Sequence, residues 1–246
     1  MRYLILSDIH ANWEGLQAVL GRAGGLYEQI LCCGDLVGYG ADPNAVVAWT
    51  RENAAGVIRG NHDKACAGLE DLEWFNPVAR AAAIWTQNEL TAGNLEYVRD
   101  LAKGPLAVNG FELVHGSPLD EDEYVIGTGD ASQALAYLNC PITFFGHTHV
   151  QGGFCWTRSQ VEVIEKPSSA TEHLQIQLRP EDLYLLNPGS VGQPRDGDVR
   201  AGFAIYEPEN GTLTYHRVPY DVETAQEKII RAGLPPLLAK RLGLGR

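Results

Sequence analysis

Five short apolar runs punctuate this chain, and each stops at a polar residue of one kind. Residues 2–7 end in Asp8-Ile9-His10, residues 29–33 in Gly34-Asp35, and residues 55–58 in Arg59-Gly60-Asn61-His62-Asp63. Residues 111–114 end in His115-Gly116, and residues 142–145 in Gly146-His147-Thr148-His149. Short apolar runs bounded by turn signals predict buried strands. Between them the apolar spacing becomes helical. Trp13, Leu16, Val19 and Leu20 predict a helix over about 13–23, capped by Asn12 and closed by Gly24-Gly25. Asp42 before Pro43 predicts a capped helix to about residue 52. Residues 64–102 carry two helical patterns, about 77–90 and 95–102, and no strand; Asn76-Pro77 marks the first start. Asn109-Gly110 predicts a hairpin joining 106–108 to 111–115, and a helix over 130–138 leads into the run before Gly146. Beyond His149 the texture is antiparallel, with short strands at 154–156, 161–164, 174–178, 183–186, 203–206 and 213–218. Glu209-Asn210-Gly211-Thr212 is a further hairpin turn, and Asp221 caps a last helix to about 232, followed by a short basic end. The pattern predicts one domain over 1–246, with a helical insert at about 64–103 and a C-terminal helix within about 221–246.

Composition narrows the class. Apolar residues make up 45% of 246 residues, enough for a substantial core. A net charge of −12 argues against a protein that tracks a nucleic-acid backbone, so no stable nucleic-acid partner is expected. No run approaches the ~20 residues of a membrane span, and the opening apolar run is too short for a signal peptide. Five cysteines without a C-x-x-C spacing read as reduced thiols, which points to the cytoplasm. Cys33, two residues before Asp35, reads as a small buried hydrophobe rather than a thiolate ligand.

The chemistry lies in the strand ends. Asp, Asn and His at the carboxyl edge of several strands converge where ligands of open α/β sheets bind. Carboxylate, amide oxygen and imidazole suit Mn, Fe, Zn, Ni or Co. The acidic run at 120–123 reads as a solvated loop. The insert, with Trp74 and Phe75, reads equally as helices packed on the sheet or as a lid over the site.

Asp8-x-His10, Gly34-Asp35, Gly60-Asn61-His62-Asp63, His115 and Gly146-His147-x-His149 resemble, in order and spacing, the calcineurin-like metallophosphoesterase superfamily. The segment 37–43 and the loop 187–196 look like its small bacterial branch of phosphodiesterases and diadenosine-tetraphosphatase relatives. The resemblance implies a four-layer αββα sandwich, two mixed β-sheets flanked by helices, with a centre of two divalent metal ions. Asp8, His10, Asp35 and His149 would hold one ion, and Asp35, Asn61, His115 and His147 the other. His62 would be catalytic, serving the leaving oxygen, and Arg59 would contact phosphate. Where the related protein phosphatases place an aspartate beside the catalytic histidine, this chain has Gly38; Asp42 or Asp63 could take that place. The implied activity is metal-dependent hydrolysis of a small phosphoester or nucleotide. The alternatives are a dinucleoside polyphosphate hydrolase, a protein phosphatase, a DNA nuclease, or a non-enzymatic module like the retromer scaffold subunit. Arg195 reads either as an exposed loop charge or as a grip on a second phosphate, with Trp74 and Phe75 available to stack on a base.

Overall fold

Alternation along the first strand, β1 (Tyr3–Leu6), sets the layers, because successive side chains of a strand point to opposite faces. Leu4 and Leu6 join a cluster with the helix residues Leu16 and Val19, whereas Tyr3 and Ile5 join a second cluster with Phe111, Phe144 and Leu186. The computed structural model describes residues 1–157 and 160–246, and of Trp74 the backbone alone. β1 belongs to a six-stranded mixed sheet with β2 (Gln29–Cys32), β3 (Gly56–Val57), β9 (His173–Gln177), β11 (Ala201–Glu207) and β12 (Thr212–Val218), ordered β3-β2-β1-β11-β12-β9. A second six-stranded sheet holds β4 (Leu106–Val108), β5 (Phe111–Leu113), β6 (Ile142–Phe144), β7 (Gly152–Thr157), β8 (Gln160–Ile164) and β10 (Leu183–Asn187), ordered β4-β5-β6-β10-β7-β8. The sheets meet through Tyr3, Ile5, Leu31, Phe111, Phe144 and Tyr215. Helices α1 (Trp13–Ala23) and α2 (Pro43–Asn53) cover the outside of the first sheet, and α6 (Thr128–Leu135) the outside of the second. The result is the expected four-layer sandwich.

Several boundaries differ from the sequence expectation. Asn61 opens a short helix, α3 (Asn61–Cys66), that the pattern did not announce. The insert helices are α4 (Pro77–Glu89) and α5 (Ala92–Arg99); α5 sits three residues early because the Thr91 hydroxyl accepts from the Asn94 amide and caps it there. α6 also starts and ends early, since the Asp130 carboxylate accepts from the Ile126 and Gly127 amides. The basic end after α7 (Val222–Arg231) is a second helix, α8 (Pro236–Leu242), whose Leu238 and Leu242 pack against Ile229. β10 runs parallel to β6, an exception to the antiparallel texture beyond residue 149. Asn12 caps α1, accepting from Gly15 N at 2.9 Å. Asp42 makes no such cap bond; its carboxylate pairs with Lys228 at 2.9 Å.

The insert packs and lines a cleft at once. Ala79 and Ala82 of α4 pack with α7 and α8, while Phe75, Asn76 and Ala79 border an open cleft of ≈ 250 Å³ at Asn61 and His62. Any stacking by the Trp74 side chain lies outside the described residues.

Candidate metal centre

The strand-end residues stand on left-handed backbone. Among the described residues, eight non-glycine residues have positive φ, and all but Asn109 gather around one spot. They include Asp8 (52°), His10 (48°), Asp35 (55°), His147 (66°) and His149 (58°). Each such residue costs about 1–2 kcal/mol in a side-chain-bearing L-residue. Such conformations persist where surrounding structure over-determines them, typically at functional sites. Here the loops hold one another. Asp8 N donates to Gly34 O at 3.0 Å, His10 N to Asp35 O at 2.9 Å, and Gly192 N to Asp8 O at 2.9 Å. The Gly/Pro loop contributes further: Ser190 Oγ donates to Asp8 O at 2.8 Å and Asn187 Nδ2 to Gly146 O at 3.0 Å.

That scaffold brings all seven expected ligands together. Asp8, His10, Asp35 and His149 offer ligand atoms within 4.8 Å of one another, and Asp35, His115 and His147 do the same. Asn61 Oδ1 lies 3.3 Å from His115 Nε2. The hydrogen bonds decide the tautomers. Nδ1 of His10, His115 and His149 faces the carbonyl oxygens of Val37, Cys33 and Gln193 at 3.1, 2.7 and 2.6 Å. A carbonyl only accepts, so each Nδ1 carries the proton. His10 Nε2 and His149 Nε2 then face each other at 3.1 Å with two lone pairs and no hydrogen between them. His147 Nε2 faces Asp122 O at 3.1 Å, so its Nδ1 is the nitrogen left for a ligand bond. Each carboxylate has one oxygen tied down and one free. Asp8 Oδ1 accepts from His147 N and Asp35 Oδ1 from His62 N, while Asp8 Oδ2 and Asp35 Oδ2 are buried without a hydrogen-bond partner. Asp35 Oδ2 lies 3.5 Å from His10 Nε2 and 3.4 Å from His115 Nε2, between the two clusters. Converging lone pairs and orphaned carboxylate oxygens in a buried site fit divalent cations.

The side chains of the cluster share charge unevenly. Burial lowers the His115 pKa, but the Asp35 carboxylate, and Asp8 beyond it, more than offset this and carry it up to about 10. Burial likewise works to raise Asp35, yet the surrounding imidazoles, His115 first, hold it well below the ordinary carboxylate value.

The sequence of residues 1–211 matches the calcineurin-like phosphoesterase superfamily domain. This chain is a member of the calcineurin-like phosphoesterase superfamily. It is 34% identical over 252 residues to the uncharacterized protein MJ0912 of Methanocaldococcus jannaschii, covering 98% of this chain and 97% of that protein. It superposes on a metallophosphoesterase from Sphaerobacter thermophilus with a TM-score of 0.86 at 37% identity, covering 100% of this chain and 99% of the other. The hypothetical protein PH1004 from Pyrococcus horikoshii shares the fold, with a TM-score of 0.79 at 20% identity over 100% and 98% of the two chains.

In this phosphoesterase, His62 stands over the cleft with the rings of Tyr39 and Phe75 at 4.3 and 5.7 Å. Burial lowers its pKa to about 4, with Arg195 adding to the effect. Its Nδ1 is buried without a partner. A Cβ on Gly38 would meet that Nδ1 at 2.9 Å, so the ring occupies the space a side chain would need. Neither expected substitute partners His62. Asp42 is turned to Lys228, and Asp63 accepts from the backbone N–H of Asp35, Val37 and Gly60 at 2.8, 3.2 and 2.9 Å. Asp63 is instead the residue that shapes the Asp35 loop, a role its place in Gly-Asn-His-Asp hinted at without revealing.

Two sequence readings need correction here. The acidic run at 120–123 is not simply solvated: Glu121 is buried and grips Arg59 with two bonds, at 3.0 and 2.9 Å. Asp122 binds Lys64 at 2.6 Å and lends its carbonyl to His147. Arg59 therefore spends its fork on Glu121 rather than holding it toward the cleft for phosphate. Arg195 is differently placed. Its guanidinium lies 5.6 Å over the Tyr39 ring and donates to the Gln193 side chain at 3.1 Å, with no carboxylate partner among the described residues. Tyr124, which the sequence did not single out, packs on His147 with ring centroids 3.8 Å apart. Cys33 lies in the inter-sheet core, and all five cysteines are free thiols.

Proposed function

We propose that this chain hydrolyses phosphoesters of small molecules with a pair of divalent ions that share Asp35. The observation that carries this is the position of Asp35 Oδ2, unpartnered and within 3.5 Å of histidines from both clusters. Asp8, His10, Asp35 and His149 would hold one ion; Asp35, Asn61, His115 and His147 the other. Two such ions supply an activated water and neutralise charge on the transferring phosphoryl group. Mn, Fe, Zn, Ni and Co all suit this donor set.

The remaining steps belong to the protein. Asp63 fixes the backbone that presents Asp35, and the Val37, Cys33 and Gln193 carbonyls lock the imidazole tautomers. His62 is neutral in the free site, and an anionic phosphate beside it raises its pKa, so it takes up a proton and passes it to the leaving oxygen. Arg195, held on Tyr39 and without a carboxylate partner among the described residues, would face the anion. The aromatic border of Tyr39, Phe75 and Tyr124 supports a nucleotide-sized substrate over a phosphoprotein. No described helix is long and apolar enough to cross a membrane, and free cysteines support a cytoplasmic setting. The test is hydrolysis of p-nitrophenyl phosphate and bis-p-nitrophenyl phosphate with Mn²⁺. Activity that EDTA removes and Mn²⁺ restores is expected; inertness across several metals and a broad ester panel overturns the reading.

A further inference from the structure

A second cavity adjoins the metal cleft and is nearly twice as large, ≈ 490 Å³ against ≈ 250 Å³. Tyr124 borders both, and Arg195 lines the larger one while lying over Tyr39 of the smaller. The metal-ligand loop runs between them: His147 faces the cleft, and the next residue, Thr148, faces the second cavity. The floor of that cavity is Phe145 and Phe154, buried to 2% and 7% relative exposure. Its walls are Ile126, Val150 and Val163, exposed at 73%, 44% and 56%, so large apolar side chains from three separate segments are left facing the same space. Lys166 also lines it, but its ammonium is paired with Asp196, which leaves Arg195 as the cation at the junction without a carboxylate partner among the described residues. Scattered exposed apolar residues mean little; several around one concave space beside a reactive centre mark a binding site.

We infer that this cavity is a subsite for the second organic group of a phosphodiester, an aromatic or apolar alcohol, whose phosphate lies at the metals with Arg195 on its far side. This rests on the phosphoesterase reading and extends it by choosing diesters over monoesters. A monoester fills only the cleft. A diester places its further ester group past Tyr124, between Ile126, Val163 and the two phenylalanines, and removes apolar surface on both sides from water. A nucleoside and a simple aryl group offer the same flat apolar surface there.

The test uses the full-length Mn²⁺-loaded protein and two variants at exposed wall positions, Ile126→Glu and Val163→Glu, each of which puts a charge in the subsite. The wild type is expected to bind diphenyl phosphate at least about tenfold more tightly than dimethyl phosphate by calorimetry, with either substitution erasing that preference. In kinetics, the ratio of kcat/KM for bis-p-nitrophenyl phosphate to that for p-nitrophenyl phosphate falls about tenfold in both variants, mostly through KM. Thymidine 5′-p-nitrophenyl phosphate, run alongside, shows whether a nucleoside shares the site. Ile230→Glu, an exposed apolar position on α7 outside both cavities, keeps the wild-type ratio. Equal binding of the two dialkyl and diaryl phosphates, or a preference that survives both substitutions, overturns the subsite. Preferential, variant-sensitive binding without hydrolysis of any ester keeps the subsite and sinks the phosphoesterase reading; hydrolysis with an unchanged ratio does the reverse.

Discussion

Gly60→Ala isolates the demand for space around Asp35. Gly60 has φ −105° and ψ 179°, extended backbone that alanine adopts without strain, and its N–H bond to Asp63 survives the substitution. The new methyl group alone does the damage. Its carbon would lie 2.1 Å from Asp35 Oδ1 and 2.6 Å from His115 Cε1, where ordinary contact begins near 3.4 Å. Asp35 must therefore retreat by roughly 1.3 Å, and neither neighbour is a flexible surface group that can swing away. A misplacement of about 1 Å in a positioned catalytic group costs on the order of 10²-fold in rate, or about 2.7 kcal/mol of barrier. The same methyl group restricts the unfolded chain, which adds about 0.4–1 kcal/mol of stability and partly masks the local clash in a melt. Activity should therefore collapse, and the thermal midpoint should fall as well, because overpacking a rigid buried site costs about 1–3 kcal/mol, more than the restricted unfolded chain returns. The assay is metal-dependent p-nitrophenyl ester hydrolysis, with metal content and a thermal melt on the same preparation. A Gly60→Ala protein with full metal content and a rate within about threefold of wild type would refute the reasoning that Asp35 is sterically fixed.

Other substitutions separate the roles of neighbouring residues. His62→Ala should retain metal by elemental analysis and lose about 10²–10⁴-fold in kcat; loss of metal instead would place His62 among the ligands. Asp63→Asn turns an amide N–H₂ toward the N–H groups that the carboxylate now accepts from, and should cost about 1–3 kcal/mol in denaturant unfolding; no change would mean those bonds are dispensable. Glu121→Ala strips Arg59 of its carboxylate, leaves Lys64 to Asp122 and Glu70, and should destabilise by about 1.5–3 kcal/mol, whereas a shift under about 0.5 kcal/mol would return the acidic run to the status of a solvated loop.

The candidate ligands were legible because their signal is local. Each sits at the end of an apolar run, and the polar residue types there have few other uses at a sheet edge. The four layers were expected from the family resemblance alone; the structure supplies the reason, since Tyr3 and Ile5 alternate with Leu4 and Leu6 and both faces of β1 are covered. What stayed hidden depends on contacts between distant segments. Glu121 is 62 residues from Arg59, and nothing in an acidic run tells a buried carboxylate from a solvated one. The left-handed conformations of Asp8, His10, Asp35, His147 and His149 leave no mark in composition, since Asp and His are as common in ordinary loops. α3 was missed because six residues are too few for an apolar period to show. α8 was missed because Leu238 and Leu242 have meaning only against Ile229 of α7.

The central claim is that two ions share Asp35 and that phosphoester hydrolysis needs both. Chelator-stripped protein titrated with Mn²⁺ tests it, following bound metal by elemental analysis and activity on bis-p-nitrophenyl phosphate in the same samples. Hydrolysis should be absent from the stripped protein, rise with metal and level off at two ions per chain, and Asp35→Ala should bind neither ion tightly. Hydrolysis that persists in the stripped protein, or that saturates at a single ion with Asp35→Ala still loading normally, would contradict it.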